Sequence, residues 1–449
     1  MQPSRCGQDP HLRCTEALPV WMGYSLRNLL VHAGEGAVTY IYRVHVKKES
    51  ISVGRPSHLR HTNALTILKL LREAGSCSRA DLVRASGLSA PTVTNVVGDL
   101  LAADLIKPLG EGESSGGRPP DMISFKAARG CMLAVEITAG YLSFLLTDLS
   151  GTELDRAQVS LAGQKTTPEG ICRLIGAEVR RLLGKHRKTR EKLLALVVGV
   201  PAITNVEDGI VLSISTLENW RSVPLRALLS EFVDCPILIE NDTNLAALGE
   251  RYRGAAQKEE TFICINIGAN VSAGIVLGGR IHHGAQWSAG EIAYLRLPSV
   301  SRKYPTLHEF GELEMVLTSS GILKSWREAH AKGRGDASST SRHVDARAVL
   351  TLAQAGDPGA KKIIQHRAEI VSDIIVNLLL ILNPSLILLG GEVGSHPVLL
   401  SSVQKQLERC EVAVTRIAAA TLGDTSVLWG AIAVGLEMIP GILLPQPLS

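Results

Sequence analysis

The first clear hydrophobic periodicity in this chain begins just after Leu59. Residues 64–74 (ALTILKLLREA) place Ile and Leu at helical spacing, and a glycine follows directly. A second helix is predicted over SRADLVRAS (78–86), with a tight Gly-Leu-Ser turn after it. A third is predicted from Ala90 to about Asp104, with proline in its first turn. Three short helices with a glycine turn before the third are typical of a helix-turn-helix.

The residues around these helices complete the predicted module. Ser78 is suited to cap the second helix, with Asp81 as its capping partner. Two short apolar stretches, LIK and MISFKAA, flank the segment GEGESSGGRPP, a pattern that favours a wing hairpin with a glycine-rich tip. Residues 58–126 are therefore predicted to form a winged helix-turn-helix DNA-binding domain.

From Cys131 onward the pattern changes to aliphatic strands alternating with helices, and it contains an internal repeat. CMLAVEI, YLSFLLTDLSG and TELDRAQVSL are followed in the second half by TFICINI, VSAGIVLGG and RIHHGAQW in the same order. Helices are predicted over 168–185 after the first set and between 306 and 382 after the second. With parallel strands such as LLALVVGVP and PILIEN, this predicts two similar α/β lobes, about 127–245 and 246–449, with a cleft between them.

Residues 1–57 carry no clean periodicity, and two interpretations remain open for them. They form either a basic arm that touches DNA phosphates or a tail that is disordered or lies upstream of the true start codon, and we favour the second. The 449-residue chain is 45% apolar and 20% charged, as expected of a soluble globular protein. Its net charge of +4 is too small to indicate a nucleic-acid binder by itself.

Cysteine usage and apolar runs bear on the compartment. The eight cysteines are scattered without a CxxC pair, which favours reduced thiols over disulfides or a zinc ribbon. The longest apolar run, 376–391, is broken by Asn383-Pro384, too early for a membrane span. Since nothing near Met1 resembles a signal peptide, we expect a cytoplasmic protein with no membrane partner.

The third helix of such a module lies in the major groove, with its N-terminal residues facing the base edges. The small polar side chains of this segment could enter the groove, and Asn95 is the best candidate to bond adenine. Basic side chains flanking it are candidates for phosphate contacts, and Arg118, between glycines and prolines, is suited to a narrow minor groove. The predicted DNA-binding residues are Arg79, Ser89, Pro91, Thr92, Thr94, Asn95 and Arg118, with Arg60 and Arg84 as further phosphate candidates.

The alternative for this module is a three-helix bundle that binds a protein. Between Pro56 and Leu109 six Lys or Arg stand against four Asp or Glu, a modest excess for a DNA-binding surface. The helix lengths, the turn and the wing together still favour DNA.

Three stretches of the sequence resemble the ROK family of sugar-responsive repressors and sugar kinases. They are SRADLVRASGLSAPTVTNVVGDLLAADLI with GGRPP, IENDTNLAALGERYRG, and GAQWSAGEIAY. The resemblance covers about residues 59–440 and implies an actin/hexokinase-like fold, a duplicated ribonuclease H-like α/β fold, with a monosaccharide or its phosphate in the cleft. By this resemblance the sugar site is formed by Asn219, Asn241, Asp242, Glu291 and Glu314.

Residue types and position agree with that assignment. Carboxylates and amides bond sugar hydroxyls with high directional specificity. Asn241-Asp242 directly follows the apolar run PILIE, the usual strand-end location of α/β sites. The structural alternative for each of these polar residues is a helix cap or loop hydrogen bond.

The phosphate loops of the family's kinases are altered here. Where those kinases have Asp-x-Gly-Gly-Thr, this chain has Glu136-Ile137-Thr138-Ala139-Gly140, and the second loop, 268–274, has also lost glycines. Asp242 aligns with the kinase base but lacks a positioned phosphoryl group to act on. We therefore expect a sugar ligand at Asp242, no catalytic residue and no cofactor. Gly390-Gly391 resembles the adenosine-side loop, although a plain strand-to-helix turn is favoured.

The family's zinc motif is also altered. Tyr294 stands where the family has histidine, and the segment 305–312 contains His308 but no cysteine. His282 and His283 are adjacent on a predicted strand and would point to opposite faces, so they make a poor metal pair. No metal site is expected.

Together these features predict a transcriptional regulator of carbohydrate metabolism, a repressor by family habit, that binds operator DNA as a homodimer or homotetramer. It is expected to respond to a sugar or sugar phosphate bound in the kinase-like cleft. One alternative is an ATP-dependent sugar kinase with an appended DNA-binding domain. Another is a DNA-binding protein whose cleft is ligand-free and serves only dimerisation.

Overall fold

A computed structural model describes residues 56–112, 119–186, 192–214, 217–300, 311–332, 344–408, 411 and 415–445. The predicted roles of the N-terminal tail, of Arg118 and of His308 lie outside the described residues. The chain divides into two compact units, Met1–Leu59 and Arg60–Ser449. Helix α1 begins in the first unit, and all elements after it belong to the second.

The N-terminal module contains the three predicted helices and a small sheet. Its antiparallel strands are arranged in the order β1-β3-β2. Helix α1 begins upstream of the periodic stretch that predicted it, because its first turns, PSHLRHTN, are polar and carry no apolar repeat. The elements are α1 (Pro56–Ala74), β1 (Ser76–Ser78), α2 (Arg79–Ser86), α3 (Ala90–Ala102), β2 (Ile106–Glu111) and β3 (Asp121–Phe125).

Local side-chain bonds position the second and third helices. Ser78 Oγ accepts from the Asp81 amide at 3.2 Å while Asp81 Oδ2 accepts from the Ser78 amide at 2.9 Å, which confirms the predicted capping box. Gly87, at φ +70°, ends α2, and Ser89 Oγ accepts from the Thr92 amide at 3.4 Å to start α3. The valines and Leu100 of α3 are buried, so its opposite face is left to solvent.

The first sheet of the larger domain has the order β11-β7-β4-β5-β6. Strands β4, β5 and β6 are antiparallel neighbours, whereas β7 and β11 run parallel to β4, as predicted from their continuous apolar composition. The elements are β4 (Cys131–Ile137), β5 (Tyr141–Asp148), β6 (Glu153–Ser160), α4 (Pro168–Lys185), β7 (Leu193–Val200), β8 (Thr204–Asn205), β9 (Ile210–Ser213), β10 (Arg221–Val223), α5 (Leu225–Leu229), β11 (Ile237–Asn241) and α6 (Asp242–Arg253).

The second sheet repeats this arrangement in the order β14-β13-β12-β15-β16, which confirms the duplication. Its first three strands are antiparallel neighbours, and β15 and β16 extend it in parallel. The elements are β12 (Phe262–Ile267), β13 (Val271–Leu277), β14 (Arg280–Ile281), α7 (Glu312–Leu317), α8 (Ser319–Lys332), α9 (Ala346–Ala355), α10 (Pro358–Leu382), β15 (Leu386–Gly390), α11 (Gly391–Gly394), α12 (Pro397–Leu407), β16 (Arg416–Ala419) and α13 (Ser426–Leu443).

Helix α13 returns to the first sheet. It packs on β4 and β7 and crosses α6 at close range. Segment Gly423–Leu443 has a mean hydropathy of 1.7 and enough length to cross a membrane, but 56% of it is buried inside the protein. Leu428, Ile432 and Leu436 lie in the same hydrophobic cluster as residues of α1, so α13 is a core helix. The predicted domain boundaries themselves stay a prediction.

We predict that Gly430→Ala destabilises the protein strongly. A Cβ at position 430 would collide with the Leu245 carbonyl of α6, so the two helices would have to move apart. A loss of about 3 kcal/mol of stability is expected, seen as a lower Tm in thermal unfolding. Gly441→Ala, in the last turn of the same helix, has free space at its Cβ and serves as the control. Equal Tm values for the two variants would contradict this account of the crossing.

Candidate functional site

A cavity of about 560 Å³ lies at the carboxyl ends of strands β4, β7, β11, β12 and β15, the usual location of sites in α/β folds. Both repeats contribute to it, because equivalent strand ends of the two sheets meet there. Its walls are formed by Glu136, Thr138, Ala139, Tyr141, Pro201, Ala202, Ile203, Leu212, Ser213, Ile214, Asn241, Asp242, Asn266, Gly268, Ala269, Asn270, Val271, Ser272, Glu291, Tyr294, Glu314, Gly391, Glu392 and Asp424.

Four of the five predicted sugar-site residues line this cavity: Asn241, Asp242, Glu291 and Glu314. The fifth, Asn219, does not. It is exposed, at φ +61°, in the connection between β9 and β10. Strand β9 itself reaches the cavity through Leu212 and Ser213. The structure therefore brings together predicted residues from three separate segments of the chain and leaves Asn219 outside.

Asn241 and Asp242 stand at the junction of β11 and α6. Asn241 Oδ1 caps α6 by accepting from the Asn244 amide at 3.0 Å, and its Nδ2 donates to the Ala202 carbonyl at 3.1 Å. The Asn241 side chain thus serves as a helix cap, the structural alternative considered for it from the sequence. Asp242 Oδ1 accepts from the Thr243 amide at 2.7 Å, and this contact positions the carboxylate at the start of the helix.

Three carboxyl groups of the cavity have strongly raised pKa values. Burial raises the pKa of Glu136 to about 8, with further contributions from the charges of Asp242 and Asp424. Burial also raises the pKa of Glu291 to about 7, helped by Asp242 and Glu314, and that of Asp242 to about 6. Near neutral pH the cavity therefore contains both protonated carboxyls, which can donate a hydrogen bond, and ionised ones, which only accept.

Glu314 is held by backbone groups at the edge of the cavity. Its Oε2 accepts from the Gly311 amide at 2.9 Å and its Oε1 from the Val271 amide at 3.4 Å. Burial raises the pKa of this carboxyl, although the two backbone donors oppose the shift. Glu314 thus links α7 to the first residue of β13 by a hydrogen bond, and it also lines the cavity.

Sequence reasoning missed several lining residues. Asp424, just before α13, lies far along the chain from the other carboxylates and follows no recognisable motif. The sequence indicates Glu136 only as part of an altered phosphate loop, yet Glu136 lines the cavity. Glu392 lines it as well. Among the described residues that line the cavity, six carry a carboxylate and none is Lys, Arg or His.

The turn between β4 and β5 is closed by its own side chain. Thr138 Oγ1 donates to the Tyr141 carbonyl at 2.9 Å and accepts from the Gly140 and Tyr141 amides at 3.3 and 3.1 Å. In the turn between β12 and β13, the Gly268 amide donates to the Asn270 carbonyl at 3.0 Å. The amides of Gly140, Tyr141 and Gly268 are therefore already bonded within these turns and are not free to cradle a phosphate.

A smaller cavity of about 350 Å³ adjoins the first and shares Glu136, Asp242 and Asp424 with it. Gly390 and Gly391 line it where β15 passes into α11. Gly391 has φ +77°, and a Cβ there would collide with the Ile267 carbonyl. Backbone geometry alone thus accounts for a glycine at position 391, in keeping with the strand-to-helix turn favoured from the sequence.

The described residues around Glu291 do not fit the zinc site of the family. Tyr294 occupies the histidine position, and a phenol is not among the Cys, His, Asp and Glu side chains that usually bind zinc. His282 and His283 follow β14 and are not on a strand, contrary to the prediction, because β14 ends at Ile281. His283 Nε2 bonds Glu240 at 2.7 Å.

The exposed face of α3 carries the predicted DNA-binding side chains. Pro91, Thr94 and Asn95 are exposed on it, as is the cap residue Ser89, whose Oγ lies 2.8 Å from the half-buried Thr92 Oγ1. Since these residues are spaced by three or four positions along a helix, they form one surface.

The basic side chains near α3 differ in their availability. Arg60 donates to both oxygens of Asp99, at 2.8 and 2.7 Å, and Arg84 is paired with Asp81. Arg79 has no ion-pair partner among the residues that the structure describes. Of the three arginines considered for phosphate contacts, Arg79 is thus the one not already paired within the module.

Comparison with known proteins follows the same division of the chain. The ROK family model matches residues 132–437, and a model of the winged helix-turn-helix DNA-binding domain matches residues 60–107. The chain belongs to the ROK family. The match also confirms the resemblance drawn from the three sequence stretches.

Relatives of this ROK protein include regulators and kinases. The xylose repressor of Bacillus spizizenii is 24% identical over 358 residues, which cover 80% of this chain and 89% of the relative. The glucokinase of Halalkalibacterium halodurans is 29% identical, covering 63% of this chain and 92% of the relative. The crystal structure of a ROK family transcriptional regulator, a homolog of the Escherichia coli MLC protein, superposes with a TM-score of 0.73 at 23% identity, covering 87% of this chain and 99% of that one. This likeness confirms the predicted fold.

The raised pKa of Glu136 predicts a pH-dependent stability. Its carboxyl titrates at about 8 in the folded protein, against an ordinary value of 4.5. Between these values the folded chain binds more protons than the unfolded chain, so stability falls as the pH rises through this range. Glu136→Gln removes this proton uptake, and we expect its Tm to exceed that of the unsubstituted protein by roughly 2 °C or more at pH 9. At pH 4, below both pKa values, the two Tm values should nearly agree.

Glu207→Gln, at an exposed position, is the matched control and should follow the unsubstituted protein at every pH. If Glu136→Gln shows the same dependence of Tm on pH as that control, the assigned titration is wrong.

Proposed function

We propose that this ROK protein is a sequence-specific DNA-binding transcriptional regulator of carbohydrate metabolism that responds to a sugar bound in the larger cavity. The observation that carries this proposal is the combination, in one chain, of an exposed polar face on helix α3 and a carboxylate-lined cavity. Relatives named as repressors favour repression as the outcome. The protein acts in the cytoplasm as a homodimer or homotetramer, so that two copies of α3 meet successive half-sites.

The charge of the cavity favours an unphosphorylated sugar over a sugar phosphate. A phosphate group carries about two negative charges near neutral pH and is usually bound by Arg, Lys or backbone N–H donors. The described lining offers carboxylates instead, and the amides of Gly140, Tyr141 and Gly268 are already bonded within the two turns. Sugar hydroxyls suit a mixture of protonated and ionised carboxyls, since each hydroxyl both donates and accepts.

The same features argue against kinase activity. Transfer of a phosphoryl group depends on positioning and on cationic groups around the phosphates. Arg347, in the wall of the smaller cavity, is the one Lys, Arg or His among the described residues that line either cavity. Asp242 accordingly serves as a sugar ligand together with Glu291, Glu136 and Glu314. Asn219 stays a predicted ligand that would need the β9–β10 connection to move.

Signal transmission from the cavity to α3 can follow two packed helices. Helix α6 begins at Asp242 in the cavity and ends at Arg253, whose guanidinium lies 3.7 Å from the centre of the Trp429 ring of α13. Further along α13, the Leu436 carbonyl accepts a hydrogen bond from Arg72 of α1. A sugar that prefers one arrangement of α6 therefore biases the DNA-binding module, typically by about 1–3 kcal/mol of coupling.

The DNA-binding half of the proposal predicts the effect of Asn95→Ala. Its exposed amide is placed to bond a base edge, and its loss should weaken specific binding by about 1–3 kcal/mol, or roughly 5- to 150-fold. Affinity is measured by fluorescence anisotropy with a duplex selected by the protein from a random library. The Tm should be unchanged, since Asn95 makes no contact in the core. Arg79→Ala should instead weaken binding to all duplexes alike and lower the salt dependence.

The sensing half predicts that one unphosphorylated sugar in a panel of pentoses, hexoses and amino sugars raises the Tm and changes the affinity for the selected duplex. Asp242→Asn should abolish both effects and keep the DNA affinity without sugar, whereas Glu207→Gln should retain both. An assay of ADP release with ATP and the same panel tests the kinase alternative. Turnover at enzyme-like rates, or stabilisation by sugar phosphates alone, would contradict the proposal.

A further inference from the structure

The recognition helix α3 contains a glycine that its own fold does not explain. Gly98 is exposed and lies on the same face as Asn95 and Thr94, one turn further along. A glycine within a helix is less favourable than alanine, because its backbone loses more conformational freedom on folding. A Cβ at position 98 would meet no heavy atom within 4 Å, and the backbone there is not left-handed. Among the described residues, no contact requires that position 98 lack a side chain.

Glycines elsewhere in the described helices contrast with Gly98. At Gly176, Gly249 and Gly430 an added Cβ would collide with Phe232, with the Ser426 carbonyl and with the Leu245 carbonyl, respectively. Gly184 and Gly441 also have free space, but both stand in the last turn of their helices, where helices fray. Gly98 has a full turn of helix after it, because α3 continues to Ala102. The cost at position 98 is thus not offset inside the chain.

We infer that Gly98 is a positioning residue for DNA: its bare backbone lets α3 lie against the wall of the major groove. This inference rests on the proposed DNA-binding function. A helix with side chains is about 10–12 Å wide and the major groove about 12 Å, so one missing Cβ changes how deeply the helix can enter. Deeper entry brings Asn95, one turn away on the same face, to the base edges.

The residue next to Gly98 supports a close approach to the phosphate backbone. Asp99 would repel phosphates if its charge were free, but both of its oxygens accept from the Arg60 guanidinium, at 2.8 and 2.7 Å. This pair keeps the carboxylate neutralised and directs it toward α1. Position 98 therefore has no side chain to hold the helix away from the DNA. The negative charge of the neighbouring Asp99 is paired with Arg60.

The test compares Gly98→Ala with the unsubstituted protein and with Gly184→Ala. Alanine should stabilise the helix in both variants, so neither Tm should fall. Affinity for the duplex that the unsubstituted protein selects from a random library should drop about tenfold in Gly98→Ala and stay unchanged in Gly184→Ala. A longer side chain that also favours helix, in Gly98→Gln, should weaken binding further.

If Gly98→Ala is at least as stable as the unsubstituted protein yet binds DNA less well, the inference is supported. Were the glycine needed only for the fold, its substitution would lower the Tm of the protein. Equal affinity of Gly98→Ala and the unsubstituted protein for the selected duplex would overturn it and leave the proposed function intact. If the unsubstituted protein selects no duplex at all, the proposed function fails and this inference fails with it.

Discussion

The close crossing of α6 and α13 is the contact on which the rest of the structure depends. Glycines at positions 249 and 430 let the two helices approach until backbone meets backbone. The fully buried carboxylate of Glu250 accepts from the amides of Thr421 and Leu422, each at 2.8 Å, and so fixes the segment that leads into α13. A buried carboxylate is stable only when its oxygens are bonded in this way, so the crossing tolerates little displacement.

This crossing links the two halves of the proposed function. Its α6 end carries Asp242 into the cavity, and the loop before α13 supplies Asp424 to the same cavity. The other end of α13 shares a hydrophobic cluster with α1. Ligand binding and DNA binding thus act on one packed element, which offers a route for communication that does not involve the zinc loop of the family.

The cavity concentrates negative charge at a cost in stability. Burial raises the pKa values of Glu136 and Glu291, the charge of Asp242 raises them further, and both carboxyls retain protons near neutral pH. Such an arrangement opposes the binding of phosphates and favours hydroxyl groups. Beside these carboxyls, the turn between β4 and β5 closes on the side chain of Thr138, whereas the turn between β12 and β13 is closed by a backbone bond from Gly268 to Asn270.

What the sequence determined by itself was the local structure and the repeat. The capping box at Ser78, the turn at Gly87 and the helix 168–185 depend on residues a few positions apart, and the two sets of three strands follow from alternation and apolar runs. Tertiary structure alone decided which polar groups meet. It placed Glu136 and Asp424 beside Asp242, left Asn219 outside, and paired Arg60 with Asp99. These contacts join residues far apart in the chain, and their formation depends on how the sheets and the α6–α13 crossing pack, which no local pattern encodes.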